Sequence, residues 1–196
     1  MSPKQRRGAE TVERVLNAAL DLHEAGDLSM SALVGDAGVS SGSLYHHFGS
    51  FDGMRAALYA RCMGELLDSV VEALERSRTA RTGVRALVEA YLRFTEERRP
   101  AAHFVHASPY AGFLPAHADR IAAAKGPRMA RIAAWLAPHV ESGEVIGLPD
   151  PFTEMLVIGP VAETSRRWLA GDPSIDLAAA ARILPDRIWQ SVRAVP

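Results

Sequence analysis

An all-α fold with a small head and a larger body is predicted by three observations. Apolar residues recur at helical spacing throughout the 196 residues, no alternating stretch of strand length stands out, and glycines or prolines punctuate the periodic runs. Apolar residues make up 48% of the chain, ample for a packed core, and charged residues at 23% exclude wholesale disorder. No apolar run approaches the roughly 20 residues of a membrane span. The opening "MSPKQRRGAE" has no apolar stretch after its charges, so no secretory signal is expected. A single cysteine, Cys62, cannot form an internal disulfide, which fits a reducing cytoplasm.

The elements follow in chain order. "TVERVLNAALDLHEAG" places Val12, Val15, Leu16, Ala19, Leu20 and His23 on one face and should stop at Gly26. Two short helices come next, "SMSALVGDAG" capped by Ser29 and "SGSLYHHF" capped by Ser40, with a left-handed turn at Gly38 between them. From Phe51 to Ser77 a long amphipathic helix carries Met54, Leu58, Cys62, Leu66, Val70 and Leu74 in one row, widened by Met63, Leu67 and Val71. "RTARTG" reads as a separator before a helix with core face Val84, Leu87, Val88, Tyr91 and Leu92, ending before Pro100. "AAHFVHASPY" is a short helix, and "LPAHADRIAAAKGPRMARIAAWLAPHVESG" is one broken helix or two, with the break expected at Gly126-Pro127. After the loop "GEVIGLPDP", two helices close the chain, the last with a bend expected near Pro185. The head is assigned to residues 1–50 and the body to 51–196.

Residues 36–50, "DAGVSSGSLYHHFGS", are polar yet carry apolar residues spaced for burial. Two short helices around a glycine turn, after a longer helix, form a helix-turn-helix. In that arrangement the second short helix enters the major groove of DNA while the first braces it. Leu33, Val34, Ala37, Val39, Leu44 and Phe48 are expected to pack beneath. Ser41, Gly42 and Ser43 allow close approach to base edges, and the first-turn amides suit a phosphate. Tyr45 and His47 are expected to reach the DNA backbone on one side, with His46 pointing elsewhere; hydroxyl and imidazole groups can bond base edges or phosphates.

The stretch "SMSALVGDAGVSSGSLYHHFGSFDGMRAALYA" resembles the DNA-binding signature of the tetracycline-repressor (TetR) family of bacterial regulators. The matching frame is Ala37-Gly38-Val39-Ser40, Gly42, Leu44-Tyr45, His47-Phe48 and Leu58. The resemblance implies a homodimer that binds a palindromic operator and holds a small-molecule effector in its body. It assigns DNA contacts to Ser29, Ser31, Ser41, Gly42, Ser43, Tyr45 and His47; Ser40 and His46 join them as neighbours on the same segment. Ser29 stands where the family favours threonine, and Phe51 and Ser41 stand where lysine is frequent.

Net charge is −1, and residues 1–61 hold six basic side chains against seven acidic ones. The salt dependence of DNA binding should therefore be shallow, since each missing phosphate contact removes about 0.9 from the log–log slope. The N-terminal stretch with Lys4, Arg6 and Arg7 reads either as a flexible arm that lies in the minor groove or as a solvated tail that does not touch DNA.

In the body, Tyr91, Phe94, Phe104, Tyr110, Phe113, Trp135 and Met155 are expected to line an apolar ligand cavity, with Thr95, Arg98, His103, His106 and Glu163 as its polar part. His103 and His106 sit three apart on a short helix, but no third ligand is near, so neither a metal nor a cofactor is expected. The last two helices resemble the family's dimerisation pair. Gly159 and Thr164 allow close approach, and Trp168, Ile183 and Ile188 supply apolar bulk.

The expected mechanism is linkage: a ligand that favours another separation of the heads releases the operator, with the long helix as lever. Two rival readings remain. One is a helical enzyme or metal-dependent protein that retains a helix-turn-helix; the other is a DNA-binding module without an effector. The glutamates Glu65, Glu72 and Glu75 read as solvated rather than as paired catalytic acids.

Overall fold

The computed structural model describes residues 3–108, 111–149 and 151–194, with side chains from residue 5 onward. Ten helices occur among the described residues: α1 (Pro3–Glu24), α2 (Met30–Asp36), α3 (Ser41–Phe48), α4 (Phe51–Glu75), α5 (Ala80–Glu97), α6 (Arg99–Ala107), α7 (Phe113–Ala116), α8 (Ala118–Glu141), α9 (Phe152–Leu169) and α10 (Leu177–Val192). The only β pairing among them is an isolated bridge between Val145 and Arg193.

Local chemistry explains the head. Gly26, with φ 76°, ends α1: its amide bonds the His23 carbonyl and the Asp27 amide bonds Leu22, so two terminal carbonyls are satisfied. Ser29 accepts from the Ala32 amide at 3.2 Å and Ser40 from the Ser43 amide at 3.1 Å, starting α2 and α3. Gly38 between them takes φ 59°, which a side chain with a Cβ adopts only at a cost. Leu33, Ala37, Leu44 and Phe48 are buried against Val15, Leu16 and Ala19 of α1, while Val34 and Val39 are half-buried.

The row Met54, Leu58, Cys62, Leu66, Val70 and Leu74 on α4 is fully buried and carries the core from head to body. α5 buries Val84, Leu87, Val88, Tyr91 and Leu92, the face the sequence marks. α8 lies along α4, and α9 and α10 pack on each other and on α5.

Three expectations are corrected. Residues 3–10 are not an extended arm; they are the first turns of α1. Pro3 sits at the opening position, where no amide is needed, and Arg6 pairs with Glu10 at 3.6 Å along the helix. Secondly, "RTARTG" is mostly helix, because Thr79 and Thr82 form a reciprocal capping box that starts α5 at Ala80. Thirdly, α8 does not break at Gly126-Pro127. The Arg128 guanidinium grips both carboxylate oxygens of Asp68 on α4, at 2.8 and 2.6 Å, and donates to the Ala124 carbonyl at 2.7 Å. Packing along α4 and this brace outweigh the hydrogen bond lost at the proline. α10 likewise continues through Pro185.

Candidate DNA-binding face and ligand cavity

Helical geometry divides α3 into two faces. Leu44 and Phe48, four apart, are 1% and 5% exposed and anchor it. Ser41, Gly42, Tyr45 and His46 all lie on the exposed side, Tyr45 at 53%. Ser40 is exposed and Ser43 half-buried, its amide taken by the Ser40 hydroxyl. As in any first turn, the amides of Ser41 and Gly42 have no partner within the helix and point outward from its start.

The structure corrects which imidazole shares Tyr45's side. His46 is exposed beside Tyr45, whereas His47 is half-buried and turns toward Gly8 at the start of α1. At about 100° per residue, His47 lies about 200° round the helix from Tyr45, on the opposite side, whereas His46 is only about 100° away and still within the exposed half. Ser29 and Ser31 flank α2's start with their hydroxyls 3.5 Å apart, Ser31 exposed and Ser29 half-buried. Arg6 and Arg7 are exposed on α1; the Lys4 side chain lies outside the described residues.

Besides the shared core, two side-chain clusters tie α1 to α4 and α6. Arg61 of α4 reaches back to α1, donating to Asn17 at 2.7 Å and to the Leu16 carbonyl at 3.2 Å, with Glu13 at 3.4 Å. His23, near the end of α1, stacks edge-on against Phe104 and hydrogen-bonds His103, both on α6.

Within the body, a cavity of about 280 Å³ opens between α4, α5, α8, α9 and α10. Its α4 wall is Met63, Leu66, Leu67, Val70 and Leu74; α5 adds Val84, Leu87 and Tyr91. α8 contributes Lys125, Met129, Ile132, Trp135 and Leu136, and α9 adds Thr153, Glu154, Val157 and Ile158. The walls are thus aliphatic and aromatic, with few polar groups, as small-molecule cavities usually are. Gly83 is a structural requirement of this wall: a Cβ there would overlap the Trp135 ring.

Of the residues the sequence nominates for the cavity, Tyr91 and Trp135 line it. Phe94, Phe104 and Phe113 are buried in the surrounding core instead. Thr95 is buried, its hydroxyl bonded to the Tyr91 carbonyl at 3.0 Å and to Ser165 at 2.9 Å. Arg98 is exposed and pairs with Glu65 at 2.6 Å, and Glu163 is exposed and pairs with Arg166 at 2.7 Å. His103 faces His23, and Met155 is exposed on the outer side of α9. Tyr110 lies outside the described residues.

His106 stands beside the cavity wall, 3.4 Å from the Tyr91 hydroxyl. Burial, reinforced by Arg166 and His103, lowers its pKa to about 4, and burial raises that of Tyr91. Both rings are therefore neutral near pH 7, and the contact is a neutral hydrogen bond.

Sequence reasoning found Trp135 but missed the rest of the α8 wall and the part α4 plays in the cavity. A signal existed: Met63 and Leu67 widen the apolar row of α4 beyond what one packed neighbour needs. Lys125 is also the one lysine in a body otherwise supplied with arginines.

On the last two helices, Phe152, Met155 and Leu156 of α9 and Ile183 of α10 are exposed apolar side chains, with Gly159 exposed on the same face of α9. Ile188 is not part of this surface; it is 3% exposed and packs within the subunit. Thr164 is half-buried with its hydroxyl on the Pro160 carbonyl, and Trp168 is half-buried under the Arg99 guanidinium, 5.0 Å from the ring centre. No described helix is long and apolar enough to cross a membrane.

Comparison with known proteins agrees with this architecture. Residues 15–58 match the family model of bacterial regulatory proteins of the tetR family. No curated protein matches the sequence. Among solved structures, a TetR family transcription regulator from Marinobacter aquaeolei VT8 is similar at TM-score 0.74 and 16% identity, over 97% of this chain and 100% of that one. A putative tetR family regulator from Shewanella sp. PV-4 is similar at TM-score 0.77 and 18% identity, over 95% and 99%. The transcriptional regulator FadR from Bacillus subtilis, solved in complex with stearoyl-CoA, is similar at TM-score 0.74 and 18% identity, over 92% and 99%. Residues 15–58 thus carry the DNA-binding head of the tetR family, and the chain shares the fold of TetR-family regulators along nearly its whole length.

Proposed function

We propose that this chain is a repressor that binds a palindromic operator as a homodimer and leaves it when an apolar effector enters the body. Residues 1–50 act as the DNA-binding head and residues 51–196 as the effector and dimerisation body. The observation that carries the proposal is the two-faced α3: Ser41, Gly42, Tyr45 and His46 stand exposed over a sealed underside of Leu44 and Phe48. An exposed tyrosine and imidazole on a rigidly anchored short helix suit a DNA groove.

α4 is the lever. Its first half meets the head through Arg61, and its second half walls the cavity through Leu66, Val70 and Leu74. A ligand that displaces that wall therefore tilts the element that carries the head. A hundredfold release needs a preference of about 2.7 kcal/mol for the unbound shape, within reach of a small apolar ligand. The Bacillus subtilis FadR structure holds a ligand with a long apolar chain. An effector dominated by apolar surface fits the walls here as well.

The dimer forms through the outward faces of α9 and α10. Phe152, Met155, Leu156 and Gly159 recur at intervals of three and four on α9, and Ile183 adds to them from α10. A two-fold pairing of that face explains an apolar stripe left in water in a single chain. The protein works in the cytoplasm and carries no catalytic centre. The test is a mobility shift with a selected duplex, followed by titration with apolar compounds. A shifted band lost on titration supports the proposal, and a band indifferent to every apolar compound favours the effector-free module.

A further inference from the structure

We propose that the effector site is bipartite and takes an amphiphile with an apolar chain in the cavity and an anionic head beside Lys125. This rests on reading the enclosed cavity as the effector site. A second, more open groove of about 740 Å³ lies between Tyr59 of α4, the segment around Leu114, and the first half of α8. The enclosed cavity and this groove share two lining residues, Lys125 and Met129, four apart on α8. Those side chains form the sill between an apolar interior and an open mouth.

The chemistry of the sill is asymmetric. Arg128 and Arg131, on the same helix, are each engaged by a carboxylate of α4: Asp68 at 2.6 Å and Glu75 at 2.6 Å. Lys125 is half-buried and has no ion-pair or hydrogen-bond partner among the described residues. A half-buried ammonium without an anion is an attractive position for one supplied by a ligand, because its charge is less screened there than in open solvent. Glu154, an exposed residue of α9, belongs to the lining of the enclosed cavity and not to that of the groove. It would repel a head group directed inward, so the anion belongs on the groove side of Lys125.

Size sets the chain. A volume of about 280 Å³ equals about nine water volumes of roughly 30 Å³ each, which suits a chain of about ten carbons. The head could be a simple carboxylate or a larger phosphate-bearing group joined through a thioester. Both present an anion at one end of an alkyl chain, and the groove has space for either.

The test titrates the purified full chain with decanoate, decanoyl-CoA and decanol, by calorimetry and thermal shift, alongside Lys125→Met and Lys125→Arg. At least one anionic probe should bind ten times more tightly than decanol. Lys125→Met should bring that probe down to the level of decanol, and Lys125→Arg should restore the preference. Preference for decanoate alone assigns a free carboxylate, and preference for decanoyl-CoA alone assigns the phosphate-bearing head. Equal binding of decanol and both anions, or an anionic preference that survives in Lys125→Met, overturns the bipartite site and leaves an apolar effector standing. No binding of any probe overturns both.

Discussion

His23 Nε2 at the end of the head's first helix and His103 Nδ1 on α6 of the body lie 2.9 Å apart. One ring must donate and the other accept, so the contact requires at least one neutral imidazole. Burial, then the nearby His103 and Arg55, hold His23 below the usual histidine range. The junction between head and body is therefore built on a contact that favours a neutral His23.

Acid should loosen the fold through this region. A histidine whose pKa is lowered on folding binds its proton more readily when unfolded, so stability rises with pH across the gap. For His106 that gap runs from about 6.5 down to about 4. The contribution is complete above about pH 6.5 and is lost progressively toward pH 4. Melting curves from pH 7.5 to 4.5 should show a falling Tm, and His106→Gln should flatten the fall. An unchanged slope in that variant would show that the loss comes from groups other than His106, His23 or the carboxylates among them.

The two faces of α3 should separate under mutation. Tyr45→Ala removes an exposed ring and should leave the Tm within about 2 °C, a change of about 1 kcal/mol at most. It should still weaken duplex binding at least tenfold. Leu44→Ala empties a sealed site and should cost about 2–5 kcal/mol of stability. Chemical denaturation paired with a binding titration distinguishes the two effects.

Gly83→Ala should act on the cavity from a distance. A methyl group there collides with the Trp135 indole, whose ring forms part of the cavity wall. Displacing that ring changes the space a ligand can occupy, so effector binding should fall at least tenfold. Trp135 fluorescence should shift in the same variant. Normal ligand affinity in Gly83→Ala would mean that α5 and α8 can part without cost.

Charge placed on the outer stripe should split the dimer. Met155→Arg and Ile183→Arg each put a cation on an exposed apolar side chain and should yield folded monomers by sedimentation. Ile188→Arg is the contrasting case: that side chain is inside the subunit, and the change should unfold the protein. Monomers that keep full operator affinity would contradict two-fold binding.

Much of this fold was legible because local chemistry and tertiary packing agree. Ser29, Gly38 and Ser40 cap and turn the head where the sequence places them, and the α4 row is buried at every position. Pro127 misled because a proline signals a break, while its compensation, Arg128 on Asp68, comes from a helix about 60 residues away. The cavity was hard to read for a related reason. Aromatic residues mark apolar bulk, yet whether bulk lines a space or fills one depends on neighbours from distant helices. Phe94 and Phe104 fill; Tyr91 and Trp135 line. Ile188 and Ile183 look alike in sequence, and the outward direction of one is set only by how α10 rolls on α5 and α9.

Selection of bound duplexes from a random-sequence pool by the purified protein, repeated at low and moderate salt, tests the central claim most directly. The account predicts enrichment of an inverted repeat whose half-sites fit two α3 helices, with the enrichment lost in Tyr45→Ala. Recovery of no inverted repeat at either salt, by a protein that is folded and dimeric, would contradict it.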